Sequence, residues 1–402
     1  MNTRTEVDRS NAAESQPKAA APDLVFSISN KDLSKALKVL SGIVDHTQVI
    51  QILGYIKCEL TGNQLSLIAS NSEIEIHMTV PVTDNTQSET AIFTLPCRKL
   101  FDITRSLDPD ATLRVKHTAS WSEVSVGKTR FKLASLPAGN FPQLALFSTI
   151  KTVQISQNEL LWLLNRTSFA MASQDVRFFL NGMLISVGDT LSAVATDGHR
   201  LALNDLTGQA FSSQNGEASD ASTESLQFIV PRKTIHELRK HLQETDETIE
   251  ISIGSQYISI VTESISIYSN LIDGQYPKYQ KLIPKSFNHK ATVSVAALKK
   301  SITKMSILAN EKFHGAKFNF QSDHLVISTH NVNHEEAFDE LPITLEGEAI
   351  SVGFNLMYLI DILNVVTTEQ IDINIVDEKN SVSFEETDSS KDSLFIVMPL
   401  SI

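Results

Sequence analysis

Thiols are nearly missing from this chain: Cys58 and Cys97 are the only cysteines in 402 residues, in unlike contexts and without a metal-ligand spacing. Two lone thiols exclude a disulfide framework and a paired-cysteine zinc site, and they predict a reducing, cytoplasmic compartment. No uninterrupted apolar run approaches the roughly 20 residues a membrane helix needs, so no spanning segment is expected. The first 23 residues contain almost nothing large and apolar. They lack the hydrophobic stretch of a secretory signal and read as a disordered tail. Walker lysine motifs, glycine-rich nucleotide loops and a G-x-S-x-G nucleophile elbow are absent as well, which argues against a self-contained ATPase or polymerase and against a nucleophilic site of that kind. Positive charge is in deficit, with 34 Lys and Arg against 47 Asp and Glu, a net of −13. That balance argues at first against a nucleic-acid partner. Net charge, however, governs solubility and long-range repulsion, whereas binding depends on where the charges lie.

What is present is a globular composition, 42% hydrophobic with 20% charged residues, and length enough for two or three domains. Three segments repeat one programme. Each opens with a helix whose apolar positions fall three and four apart, at 32–41, 158–172 and 296–310. A strand pair with a small polar turn follows, at 66–73, 192–199 and 326–333. A second helix comes next, at 96–107, 231–242 and 355–366, and then alternating strands such as 113–118, 249–254 and 371–376. From Leu33 to Leu160 is 127 residues and from Leu160 to Leu298 is 138; the longer interval contains 208–225, rich in Gly, Ser and Asn, which reads as a flexible surface insertion. The expected organisation is α+β: a tail at 1–23 and three repeats at 24–148, 152–285 and 289–402, each two helices on antiparallel sheet.

Charge is sorted by element. Over helices taken as 30–41, 96–106, 156–173, 231–243, 295–310 and 355–367, the net charges are +2, +2, 0, +3, +3 and −1. Their total of +9 leaves −22 on the rest of the chain. If the helices line one surface and the sheets another, the helical surface attracts phosphates while the exterior repels them. Such contacts hold a duplex by its backbone, without reading bases and with strong salt dependence.

The stretch Ser173–Leu203 organises the middle repeat: a bend, two strands, and a two-residue Asp197-Gly198 hairpin turn followed by His199, Arg200 and Leu201. Two alternative functions are weighed. A metal-dependent hydrolase would use His330 and His334 with Glu335, but histidines four apart suit zinc only on a helix, and this stretch follows a strand. A groove-reading DNA-binding protein needs a recognition helix with a concentrated basic face, and the positive charge here is diffuse.

The words QDVRFFLNGML (174–184) and ATDGHRLA (195–202) closely resemble the bacterial sliding clamps, the β subunits of DNA polymerase III. LPAGNFPQL (136–144), SILANEKFHGAKF (306–318) and IVMPLSI (396–402) match the same family in the same order, so the resemblance runs from about Leu24 to Ile402. It implies the DNA clamp fold, a head-to-tail homodimer forming a six-domain ring around double-stranded DNA, and a non-catalytic processivity subunit of a nucleotidyl-transferring holoenzyme that uses no cofactor or metal of its own. The partners it implies are the replicative polymerase, the clamp loader and other proteins carrying a clamp-binding motif.

The resemblance also implies sites. For DNA these are the loop residues Gln174, Arg177, Phe178 and Phe179, and as a group the helix cations Arg98, Lys99, Arg105, Arg232, Lys233, Arg239, Lys299, Lys300 and Lys304. Phe178 and Phe179 stand where the family commonly has tyrosines, and an arginine often found near Thr47 is missing. A partner-peptide groove is implied at Leu180, Thr196, Gly198, His199, Arg200, Leu201, Pro277, Lys281, Leu282, Ser381, Ile396, Met398, Pro399, Leu400 and Ile402. With Lys281 in place of an expected arginine and Ser401 in place of a basic residue, its rim is expected to be less basic than usual. The dimer interface is expected to join strand 128–135, through Lys128, Arg130, Phe131 and Leu133, to Ile307 and Leu308 on a helix and to the acidic stretch with Glu335 and Glu336.

Overall fold

Leu33, Ala36, Leu37 and Leu40 are all buried, and this stripe at helical spacing makes Asn30–Leu40 (α1) an amphipathic helix. Cys97, Leu100 and Thr104 do the same for Cys97–Arg105 (α2). The Asn30 side chain donates to the carbonyls of Thr104 (3.0 Å) and Asp108 (2.9 Å), so the start of one helix satisfies orphan acceptors at the end of the other.

The computed structural model describes residues 24–44, 50–86, 89–142, 144, 148–207, 225–387 and 392–401. The expected 1–23 tail, Thr47, nearly all of the 208–225 insertion and Ile402 lie outside the described residues. Two compact units emerge. One contains the described residues up to Ala69 with Thr79–Phe141, the other Ser70–Met78 with the described residues from Pro142 onward.

In the first unit, α1 and α2 accompany a four-stranded antiparallel sheet in the order Leu24–Ser29, Thr112–Thr118, Trp121–Val126, Thr129–Ala134. The last of these strands is an open edge. Strand Tyr55–Thr61 pairs separately with Ala91–Pro96 and with Gln64–Ser70.

The second unit holds Gln157–Thr167 (α3), Arg232–His241 (α4), Val295–Met305 (α5) and Leu356–Val365 (α6). A capping box starts α3: Ser156 Oγ accepts from the Glu159 N–H (3.2 Å) and the Glu159 carboxylate accepts from the Ser156 N–H (3.2 Å). Ser294 and Asn355 cap α5 and α6 through their side-chain oxygens. Strand Arg200–Leu206 pairs antiparallel with the C-terminal strand Asp392–Val397, Leu201 facing Ile396. That pairing joins middle-repeat strands and last-repeat strands into one nine-stranded sheet. A separate four-stranded sheet runs Glu336–Pro342, His324–His330, Gly315–Phe320, Ile350–Asn355, with the acidic strand Glu336–Pro342 at its edge.

Three local expectations change. The helix expected over 158–172 ends at Thr167, whose hydroxyl bonds back to the Leu163 carbonyl (2.8 Å), and a single 3₁₀ turn follows at Ser168–Ala170. The helix expected over 296–310 ends at Met305, because Ser306 Oγ donates to the Thr303 carbonyl (2.8 Å) and turns the chain; Ile307 and Leu308 therefore sit in a turn, not on a helix. The hairpin loop is four residues, 197–200, since Thr196 pairs with Leu201. Asp197 Oδ1 accepts from the N–H groups of His199 (2.9 Å) and Arg200 (3.0 Å), which holds the wider loop shut.

Candidate peptide-docking and nucleic-acid surfaces

The 197–200 loop is built to hold a shape. Gly198 adopts φ +92°, which favours glycine, and a Cβ there would come within 3.1 Å of the Arg177 guanidinium. Thr196 Oγ1 donates to the Arg200 carbonyl (2.6 Å) and accepts from the Gly198 N–H (3.1 Å). The hydroxyl of the half-buried Tyr276 accepts from the Thr196 N–H (3.1 Å), and desolvation pushes that phenol well above its ordinary range.

Arg200 clamps this loop to the last repeat. Its guanidinium donates to Asp197 Oδ2 (3.0 Å), to Asp361 Oδ2 on α6 (2.5 Å) and to the Phe169 carbonyl (2.8 Å), and its carbon lies 4.5 Å from the Tyr358 ring centre. With every face engaged, Arg200 acts as a staple. The tail is pinned beside it: the Met398 N–H donates to the His199 carbonyl (2.8 Å) and the Leu400 N–H to the Gly353 carbonyl (2.8 Å). Pro399 lies between these two bonds, half-buried.

Leu201 (1% exposed) and Ile396 (2%) belong to a buried cluster with Leu184, Val194, Ile229 and Tyr279. Leu180 is equally buried at 1%. These three were expected to line the groove; strand pairing turns Leu201 and Ile396 toward the sheet's packed face, whereas Leu180 is buried from the 3₁₀ turn Phe178–Leu180. The single expected groove also divides. Lys281, Leu282, Ser381 and Met398 line a depression of about 340 Å³, in which Ser381 Oγ donates to the Leu282 carbonyl (2.8 Å). Pro277 instead borders a separate cleft of about 810 Å³ along Ile272–Gln280.

In the loop expected at DNA, Gln174 has φ 57°, Phe178 is 57% exposed, and Phe179 leans on the buried cluster. Arg177 donates to Asp175 (2.8 Å) and to the Asp197 carbonyl (3.2 Å). The hydrogen bond from Arg177 holds the Asp175 carboxyl down at about 2. Among the helix cations, several are tethered. Arg98 donates to the Val44 carbonyl (3.0 Å), Arg232 to the Met171 carbonyl (2.7 Å) and Arg239 to Asn165 Oδ1 (2.6 Å). Lys304 is ion-paired with Asp339 on the acidic edge strand, and Arg105 lies over the Phe101 ring at 5.7 Å. Lys99 and Lys300 are exposed, whereas Lys233 and Lys299 are half-buried.

At the expected dimer surfaces, Lys128 and Arg130 are exposed, Phe131 is half-buried, and Leu133 is 7% exposed. Leu133 therefore packs into its own unit and offers little to a partner. Glu335 and Glu336 are exposed, Ile307 is 77% exposed and Leu308 half-buried. Sequence reasoning passed over Phe338 (77% exposed) on the acidic edge and Trp121 (44%), under the Lys132 ammonium at 4.6 Å. The alternating run Glu336–Pro342 carried the signal for Phe338, because a period of two leaves it on the solvent face between acids. The histidine alternative fails on geometry. His330 ends a strand, His334 sits at φ 62°, and the Asn331 side chain donates to the Glu335 carboxylate (2.5 Å). Among the described residues, no three His, Cys, Asp or Glu come together to hold a metal ion. No helix among them is long and apolar enough to cross a membrane.

Comparison with known proteins assigns the family. Family models of the DNA polymerase III beta subunit match in order: the N-terminal domain over residues 24–145, the central domain over 154–278 and the C-terminal domain over 280–401. The chain is 35% identical over 376 residues to the beta sliding clamp of Pseudomonas putida, covering 93% of this chain and 99% of that one. It is 32% identical over 377 residues to the beta sliding clamp of Escherichia coli (strain K12), with the same coverage. A crystal structure of the Pseudomonas aeruginosa sliding clamp bound to griselimycin superposes with a TM-score of 0.87 at 35% identity, covering 94% of this chain and all of that one. Three domain matches in succession, with relatives similar along almost their whole length, mean that the chain belongs to the DNA polymerase III beta subunit family, the beta sliding clamps.

Proposed function

We propose that this chain is a DNA polymerase processivity factor of the cytoplasm, with no chemistry of its own. Two copies, each with repeats at 24–148, 152–285 and 289–402, join head to tail and close a ring around duplex DNA. The ring slides without sequence preference and raises the effective concentration of the polymerase at the primer end.

The observation that carries this reading is the pair of open, oppositely charged sheet edges. The first unit ends a four-stranded sheet with Thr129–Ala134, whose stretch bears Lys128, Arg130 and Lys132. The second ends one with Glu336–Pro342, whose stretch bears Glu335, Glu336, Asp339 and Glu340. Open edges are a pairing liability unless a partner covers them. A copy of the chain brings the complementary edge, with charge setting register and Ile307 and Phe338 supplying apolar area. The depression at Leu282 and Met398 would then take extended peptides from the polymerase and the clamp loader.

Retention on nicked circular DNA, after loading by a cognate loader with ATP, tests the reading. Release on linearisation is the expected result, because an encircling ring slides off an end. Equal retention on circle and line would mean direct binding and would favour a groove-binding protein.

A further inference from the structure

The depression at Leu282 and Met398 has a rim that the groove residues alone do not describe. Lys281, Lys285 and Lys379 converge on it, and none of its ten lining residues is acidic. Among the described residues, none of these three ammonium groups enters an ion pair, although other lysines such as Lys290 and Lys304 do. Lys379 is held in place by its turn: Asp377 Oδ1 accepts from the N–H groups of Lys379 (2.8 Å) and Asn380 (2.8 Å), and Asp377 Oδ2 accepts from Asn380 Nδ2 (2.7 Å). The Asp377 carboxylate is thus bound by the N–H groups of its own turn, and the Lys379 charge also acts on it without forming an ion pair. Opposite, the hydrogen bond from Ser381 to the Leu282 carbonyl ties the two walls together. Lys285 and Lys379 were not among the expected groove residues; they reach the rim from the same loops that carry Lys281, Leu282 and Ser381.

We propose that this rim reads acidic residues flanking the apolar anchors of a docking peptide. Leu282, 41% exposed, and Met398 take the anchors, while Lys285 and Lys379 meet carboxylates on the peptide's flank. Two features favour an acidic peptide: charge complementarity, and continuity with the docking groove through Ser381 and Met398. The proposal rests on the docking role stated above.

The test is fluorescence anisotropy with the full chain and a labelled twelve-residue extended peptide carrying central leucine and phenylalanine anchors. One version has Asp-Glu at both flanks and the other Asn-Gln. The acidic version is expected to bind roughly three- to tenfold tighter at 50 mM salt, the range two exposed ion pairs support, with the advantage shrinking at 300 mM. Lys285→Gln combined with Lys379→Gln is expected to erase that advantage and leave the amide version's affinity unchanged, which also shows the variant is folded. Equal binding of both versions to the unmodified protein would overturn the proposal and leave the docking role standing. Failure of both versions to bind would overturn the docking role and the proposal with it. A twelve-nucleotide single strand that competes with the acidic peptide only while both lysines are present would overturn it too, assigning the rim to phosphates.

Discussion

Removing the Glu386 charge should destabilise the second unit severely, and removing its partner as well should restore most of the loss. Arg166 and Glu386 form an ion pair with side chains only 3% and 2% exposed. The Arg166 guanidinium also donates to the Val365 carbonyl (2.6 Å) and to Ser393 Oγ (3.2 Å), and it lies over the Trp162 and Phe395 rings. Burial lowers the Arg166 pKa while Glu386 opposes the shift, and the guanidinium stays charged at neutral pH. Glu386→Gln keeps an acceptor for the Thr367 N–H (2.6 Å) but strands a buried cation. Breaking such a pair costs about 3–5 kcal/mol, and a unit of this size melts roughly 2 °C lower for each kcal/mol. Calorimetry at pH 7 should therefore show the unit's transition falling by about 6–10 °C. Arg166→Met with Glu386→Leu should return to within roughly 2 °C of the original, since well-packed apolar residues replace buried pairs at little cost. A drop below about 1 °C for Glu386→Gln, or a double variant no more stable than the worse single one, would refute the argument.

Three other outcomes can be checked. Deleting residues 398–402 removes the bonds to the His199 and Gly353 carbonyls but touches neither open edge, so polymerase stimulation should vanish while sedimentation still reports a dimer. Ile307→Ser with Phe338→Ser should convert that dimer to monomer at micromolar concentration without lowering the melting temperature, because both side chains are 77% exposed; an unchanged dimer would move the interface elsewhere. Burial pushes both free thiols up, Cys97 to about 12. A raised folded pKa stabilises fully below the unfolded thiol value near 8.5 and is lost as pH climbs toward the folded one. Between pH 9 and 11 the protein should therefore lose more stability than its Cys58→Ala, Cys97→Ala variant, and parallel pH curves would contradict this.

The periodic features of this chain were legible from residue order, because period and capping are local properties. The stripe Leu33, Ala36, Leu37, Leu40 and its counterparts located the six α-helices found among the described residues, and alternation located strands such as Gln370–Ile375. Helix ends were less legible: Ser306 and Thr167 stop α5 and α3 through back-bonds that compete with the helix by small margins. The family words marked the neighbourhood of the groove, yet which side of the sheet each member faces was settled by pairing. Leu201 opposite Ile396 is a contact across 195 residues, and it sends both side chains inward. Arg200, written in the chain as one more cation after a turn, becomes a staple only because α6 brings Asp361 and Tyr358 to it.

Residue order by itself determined the three-repeat plan, the sorting of positive charge onto helices and the family. Tertiary structure alone decided which cations stay unpaired, which apolar residues stay outside, and how Lys281, Lys285 and Lys379 come to share one rim. The reason is physical: helices and strands follow from spacing along the chain, whereas ion pairing and exposure depend on groups that folding brings from hundreds of residues away.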